Sequence, residues 1–228
     1  MSKRAYGQFC GLARALELVG ERWALLIVRD LLVGPKRFTD LRRGLPRIPT
    51  NVLATRLKEL EHAAVVRRRV LPRPAGSVVY ELTEHGAELE PAVFALGRWG
   101  IQTLGEPGPG DLLTVDSLII ALRATFDPEQ ARGLRVSYEL RMGEIVVHAL
   151  VDDGTLEVGR GGLATADLGI ETSGAMPRLL TGELDPATAV AQGAVQLTGP
   201  ADLLTRFVEL FHVPSAPSGN SATADLSR

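Results

Sequence analysis

The chain has 228 residues, 45% apolar and 23% charged, with 24 glycines, 14 prolines and a formal net charge of −2. That length suits two cores of about 100–150 residues, and the composition excludes collagen, coiled-coil arrays and global disorder. The charge is divided: residues 1–105 carry 17 Lys and Arg against 10 Asp and Glu (+7), and residues 106–228 carry 8 against 17 (−9), so only the first half is suited to a polyanion.

Along the first half, Leu12, Leu16 and Val19 follow helical spacing, and Gly20 is expected to end that helix as its C′ glycine. Trp23, Leu26, Ile27 and Leu31 open a second apolar stripe, closed by Gly34-Pro35. A short third helix follows, with Thr39 as its expected N-cap and Leu41 inward. Leu45-Pro46-Arg47-Ile48-Pro49 is too rich in proline for helix and makes a turn. Leu53, Leu57 and Leu60 then form another helical row. The β-rich runs Val65–Leu71 and 78–82, joined by a Pro/Gly turn, make a hairpin, and Thr83 caps a last helix through Leu89, Val93, Leu96 and Trp99. Four helices, a hairpin and a helix are the arrangement of a winged helix-turn-helix.

Glu106-Pro107-Gly108-Pro109-Gly110 sustains neither helix nor central strand and marks the expected domain boundary. Beyond it, Leu118, Ile119, Leu122 and Phe126 make a helical stripe, and residues 134–141 alternate with period two. Residues 144–151 turn at Asp152-Asp153-Gly154 into 155–158, a meander. Helical stretches near Met176–Leu180 and Pro186–Ala191, a strand at Val195–Thr198 and a terminal helix complete a mainly antiparallel α+β domain over 111–213. Residues 214–228, poor in large apolar side chains, are expected to be a disordered tail.

Basic charge is concentrated in the first half, with 11 Lys and Arg against three acids between Lys36 and Arg73. Duplex DNA rewards such a face through counterion release. Opposite the row of Leu53, Leu57 and Leu60, the helix presents Asn51, Ala54, Thr55, Lys58 and His62. Asn pairs bidentately with adenine, Thr offers a hydroxyl and a methyl, and Lys reaches guanine or phosphate. Arg56, at the flank, is better placed for phosphate. Alternation sends Arg68 opposite to Arg67 and Arg69, and Arg73 at the hairpin tip is suited to a minor groove.

These residues carry a family resemblance. The runs Cys10-Gly11-Leu12-Ala13-Arg14-Ala15-Leu16, Gly20-Glu21-Arg22-Trp23, Leu45-Pro46-Arg47-Ile48-Pro49-Thr50-Asn51-Val52-Leu53, Arg56-Leu57-Lys58-Glu59-Leu60 and Tyr80-Glu81-Leu82-Thr83-Glu84-His85-Gly86 closely resemble HxlR-type winged helix-turn-helix regulators, over roughly residues 7–104. The resemblance implies a cytoplasmic homodimer, paired through its terminal helices, on pseudo-palindromic operator DNA. It puts Thr50, Asn51, Thr55, Arg56 and Lys58 on the recognition helix and Arg73 on the wing. Some members of that family sense oxidants through an N-terminal cysteine, which makes Cys10 a candidate redox site, although Gly11 stands where proline is usual.

The second half is similar to sterol-carrier-protein-type domains, through Gly182-Glu183-Leu184-Asp185-Pro186-Ala187, Ala194-Val195-Gln196-Leu197-Thr198-Gly199 and the helix of residues 203–211. That implies an apolar ligand cavity, with Leu122, Phe126, Tyr138, Leu140, Val147, Met176, Leu204 and Phe207 as its expected lining.

One cysteine allows neither an internal disulfide nor a cysteine-rich zinc module, and four scattered histidines make no metal site. There is no G-x-S-x-G, P-loop or G-x-G-x-x-G, so no enzyme activity and no cofactor are expected. Gly159-Arg160-Gly161-Gly162 is a turn rather than a phosphate cradle. No apolar run approaches the roughly 20 residues of a membrane span, and no secretory signal follows Lys3-Arg4, so the expected setting is the reduced cytoplasm without membrane contact. The combined expectation is a dimeric regulator, most simply a repressor, whose second domain binds a small apolar effector. The alternative is a lipid or small-molecule carrier whose winged domain mediates protein interaction, and a third option is a regulator whose second domain only strengthens the dimer.

Overall fold

The computed structural model describes residues 5–72, 76–105, 107–108 and 110–213, which divide into two compact units. The first runs to Leu96 and takes in Leu113–Ala124; the second comprises Gly97–Leu112 and the chain from Thr125. Arg73, Glu106, Pro109 and the expected tail at 214–228 lie outside the described residues.

In the first unit, α1 (Gly11–Val19) buries Ala13 and Val19 but leaves Leu12 and Leu16 exposed. Gly20 ends α1 for a reason other than handedness: its φ of −76° is right-handed, but a Cβ there would lie 2.5 Å from the Leu16 carbonyl oxygen. Trp23 precedes α2 (Ala24–Leu32) with φ 81°, a conformation that strains a bulky residue. Thr39 is not the cap of α3 (Phe38–Gly44). The helix begins one residue before it, and the Asp40 carboxylate accepts the Arg37 N–H at 3.2 Å. A carboxylate at the third helical position satisfies an orphan donor and favours the positive end of the helix dipole.

The proline-rich turn buries Leu45 and Ile48 and delivers the chain into α4 (Thr50–His62). Leu53, Leu57 and Leu60 are buried there with Ile27, Val28 and Leu41 in one core. Strands β1 (Val66–Val70) and β2 (Val78–Leu82) pair antiparallel with Arg67 opposite Glu81 and Arg68 opposite Tyr80. Thr83 caps as expected, accepting the Gly86 N–H at 2.9 Å, but the helix it starts is broken into α5 (Glu84–Ala87) and α6 (Glu90–Ile101). Gly86 is required because a Cβ would meet the Val65 carbonyl oxygen at 2.0 Å. Helix α7 (Val115–Thr125), read from sequence as the start of the second domain, lies almost wholly in the first unit, and its Ile120 joins that core.

In the second unit, β3 (Arg135–Met142), β4 (Ile145–Asp152) and β5 (Thr155–Arg160) form the expected meander. Asp153 (φ 45°) and Gly154 (φ 81°) make its two-residue turn, which needs left-handed backbone at both positions. The chain then crosses back as β6 (Leu168–Thr172), followed by α8 (Met176–Leu180), α9 (Pro186–Ala191), β7 (Val195–Thr198) and α10 (Asp202–Leu210). The strand order is β5-β4-β3-β6-β7, and β6 runs parallel to β3. The sheet is therefore mixed rather than wholly antiparallel, with three antiparallel pairings and this one parallel pairing. Leu168-Gly169-Ile170-Glu171-Thr172 is too short and glycine-interrupted to announce itself as a strand, although its alternate residues Leu168, Ile170 and Thr172 are buried.

The Gly159–Gly162 segment packs closely under side chains. A Cβ at Gly159 would lie 2.3 Å from His148 Nε2, and the Glu139 carboxylate over Gly162 accepts the Leu163 N–H at 3.0 Å.

Candidate nucleic-acid interface

With its leucine row buried, α4 exposes Thr50, Asn51, Thr55 and Lys58. Pro49 at the N-cap position offers no side-chain acceptor, so no N-cap side chain satisfies the N–H groups of the first turn of α4. The Thr55 hydroxyl donates to the Asn51 carbonyl at 2.9 Å, leaving its methyl group and lone pairs outward. Lys58 has no ion pair among the described residues. His62 Nδ1 lies 2.6 Å from the Lys58 carbonyl.

Arg56 does not join this face. Its guanidinium pairs with Glu59 and, at 3.1 Å, with Glu21, and its Nε is buried without a partner among the described residues. Helical spacing carries Arg56 to the flank next to the core, where acids from its own helix and from the turn before α2 meet it.

The wing arginines alternate as expected, but two of them are already engaged. Arg67 and Arg69 each donate Nε–H to Glu81 at 2.8 Å, and this holds the nearly buried Glu81 carboxylate below its usual range, chiefly through the hydrogen bond from Arg69. Arg68, on the other face, lies 5.8 Å over the Tyr80 ring. Tyr80 also forms a two-hydrogen-bond bridge with Lys36, which extends the hairpin by one short strand-like segment. Lys36 Nζ is buried against Asp116 Oδ2 at 2.8 Å. Sequence reasoning counted Lys36 as surface charge and gave Glu81 and Asp116 no role. Cross-strand spacing pointed to Glu81, whereas nothing local pointed to Asp116.

Asp30, on α2, is a second buried acid. Its Oδ1 accepts from Arg29 Nε at 2.9 Å and Nη2 at 2.7 Å, and its Oδ2 is buried without a partner among the described residues. Burial pushes this carboxyl up, against the opposing charge of Arg29.

Cys10 is exposed at the N-cap position of α1. Its thiol is lowered by the backbone N–H groups of Ala13 and Leu12. Arg14, which lies near it in sequence, is engaged by Glu17 at 3.0 Å.

Of the residues expected to line an apolar cavity, Tyr138, Leu140, Val147, Met176, Leu204 and Phe207 are buried in the second unit, and Phe126 is half-buried there. Leu122 is buried on α7, in the first unit. Leu140 and Val147 are cross-strand partners. Tyr138 meets Phe207 edge-on at 5.1 Å, and Phe211, four residues beyond Phe207, lies tilted against it at 4.6 Å and against Phe126 at 5.6 Å. Phe211 was missed as part of this cluster, although its spacing four residues after Phe207 signalled it. The Tyr138 hydroxyl has no hydrogen-bond partner among the described residues, and burial pushes its pKa up to about 12. Among the described residues, no group of three or more His, Cys, Asp and Glu could hold a metal, and no helix is long and apolar enough to cross a membrane.

A helix with an apolar back and a short polar front, followed by a basic hairpin bridged to the preceding elements, defines a winged helix-turn-helix. The family model described as HxlR-like helix-turn-helix matches residues 18–107. The HTH-type transcriptional regulator YodB of Bacillus subtilis (strain 168) is 43% identical over 94 residues, 41% of this chain and 83% of that protein. The uncharacterized HTH-type transcriptional regulator YvaP of the same strain is 37% identical over 89 residues, 39% of this chain and 82% of that one. Among solved structures, the reduced form of YodB from B. subtilis is 40% identical, covering 45% of this chain and 100% of that one with a TM-score of 0.38. The chain belongs to the HxlR-like helix-turn-helix family.

Proposed function

We propose that this protein is a DNA-binding transcriptional regulator, most simply a repressor, that acts as a homodimer on pseudo-palindromic duplex DNA. The observation that carries the reading is the exposed set Thr50, Asn51, Thr55 and Lys58 on α4, whose opposite side is locked into the core. The N-terminal residues of such a helix meet base edges in the major groove, while its lysine and the wing neutralise phosphate. Arg73, which falls between β1 and β2 in the sequence, is the further contact proposed for the wing. Relatives named as transcriptional regulators support the same reading. A dimer is supported by apolar side chains left in water: Leu12 and Leu16 one turn apart on α1, Phe9 before it, and Leu96 on α6.

In this reading the acidic second unit, read from sequence as a sterol-carrier-like domain over 111–213, takes a small apolar effector that biases DNA affinity. The buried Tyr138 hydroxyl, unsatisfied among the described residues, is the anchor such a molecule would use for its one polar group. Cys10 adds a redox input, supported by its exposure and by its lowered thiol.

The test is binding of the full chain to the promoter DNA beside its own gene, over a salt series, with a scrambled duplex as control. Site-preferring, salt-sensitive binding supports the regulator. Absence of duplex binding at every salt concentration, with and without a small-molecule extract, favours the carrier.

A further inference from the structure

The family match ends at residue 107, yet the first unit is completed by α7, which lies beyond it. Three attachments hold α7 there. Ile120 is buried in the first core. Arg123 pairs with Glu90, donates to the Leu32 carbonyl at 3.1 Å and lies 5.5 Å over the Phe94 ring. The third is the Lys36–Asp116 pair, whose side chains are only 8% and 11% exposed.

This third attachment leads to the wing. The Lys36 N–H donates to the Tyr80 carbonyl at 2.9 Å, and the Tyr80 N–H donates to the Lys36 carbonyl at 2.7 Å. Tyr80 carries Arg68 on its ring, and the next residue, Glu81, holds Arg67 and Arg69. A buried ammonium is tolerated only while it is paired. Without the Asp116 carboxylate, Lys36 keeps only the longer-range pull of Asp30, and its ammonium is driven toward water, straining the two backbone bonds that seat β2.

We propose that Asp116 is a positioning residue for the wing: through Lys36 it sets where the hairpin arginines stand, so the DNA-contacting apparatus of this chain extends to α7. The proposal deepens the DNA-binding reading and rests on it for its consequence. Its structural content, that Asp116 seats β2, is measured without DNA.

The experiment compares the full-length wild type with Asp116→Asn and Asp116→Glu by amide hydrogen exchange and duplex binding. In Asp116→Asn, exchange is expected to rise severalfold in peptides spanning 66–82 and to stay unchanged in peptides spanning 50–62. Duplex affinity should fall about tenfold, with a salt slope lower by about one to two phosphate contacts, since the slope counts neutralised phosphates. Asp116→Glu, which keeps the charge, should restore most of both, and it carries the comparison if the Asn variant fails to fold. Exchange that is unchanged in the wing, or raised equally in α4, overturns the proposal by making Asp116 a general staple. If the wild type binds no duplex, the DNA-binding reading fails, while the exchange data still decide whether Asp116 seats the wing.

Discussion

Glu81 lies directly opposite Arg67 across the β1–β2 hairpin, and its two carboxylate oxygens accept the Nε–H groups of Arg67 and Arg69 at 2.8 Å each. One acid therefore restrains two of the wing cations. Glu81→Gln is expected to destabilise the fold only modestly, by about 0.5–1 kcal/mol, because both arginines are half-exposed and screened. The variant should bind duplex DNA more tightly and with a steeper salt dependence, since two guanidiniums are released. Because the folded carboxyl is held below its usual range, the stability it contributes is present above the unfolded pKa and is lost as pH falls through the folded one. The melting difference between wild type and Glu81→Gln should accordingly shrink in acid.

Asn51 and Lys58 are exposed on α4 and share no ion pair with the core. Asn51→Ala is expected to lose discrimination between operator and scrambled duplex by about 1–3 kcal/mol, the value of one bidentate base contact. Lys58→Ala should weaken both duplexes alike and lower the salt slope by about one. Melting temperatures of both variants should match the wild type. Equal loss of operator and scrambled binding in Asn51→Ala would remove that residue from base readout.

Asp30 behaves oppositely to Glu81. Burial raises its folded pKa, so its favourable contribution is fully present below the unfolded pKa and is lost as pH rises through the folded one. Thermal melts from pH 7 down to pH 4 should show the wild type gaining stability relative to Asp30→Asn. A difference that stays flat over that range would mean the carboxyl is not penalised by burial. Gly44→Ala should also destabilise, because its Cβ would lie 2.8 Å from Asp30 Oδ2, the buried oxygen that has no partner among the described residues.

The Tyr138 hydroxyl is buried beside aromatic rings without a hydrogen-bond partner among the described residues. An unmade buried hydrogen bond is a net cost, so Tyr138→Phe should stabilise the ligand-free protein by about 1 kcal/mol in a denaturant melt. Phe207→Ala, which removes a ring packed on both Tyr138 and Phe211, should cost about 3–5 kcal/mol. Destabilisation by Tyr138→Phe would show that the hydroxyl is already satisfied in solution.

Cys10 is exposed, and its thiol is lowered by N–H groups at the start of α1. Diamide is expected to change the duplex affinity of the wild type severalfold and to leave Cys10→Ala unaffected. If the two proteins respond alike, Cys10 is not the sensor.

The first unit was legible in the sequence because its signals are local. The leucine row at 53, 57 and 60, the turn between Leu45 and Pro49, the alternation through Arg67–Arg69 and the Thr83 cap each depend on residues within one turn or one strand. Periodicity fixes which side of α4 is apolar, so the exposure of Asn51 and Lys58 follows from the same spacing. The cap of α3 was misread because Asp40 and Thr39 compete within a single turn, and the preceding bridge at Lys36 decides where the helix begins.

What the chain alone determined, then, is the winged helix-turn-helix with its polar helix front, together with the meander that follows the boundary. Only the tertiary structure decided how the charges are spent and where α7 belongs. Lys36 and Asp116 are 80 positions apart in the numbering, and Arg56 and Glu21 are 35 apart. Local pattern carries no information on which distant acid will meet a buried cation. The parallel pairing of β6 with β3 was hidden for the same reason, since five residues show an alternation but not the strand beside which they will lie. Desolvation makes these pairings matter: each partner is costly when buried alone, so the fold that brings them together also settles which arginines and lysines remain free for a polyanion.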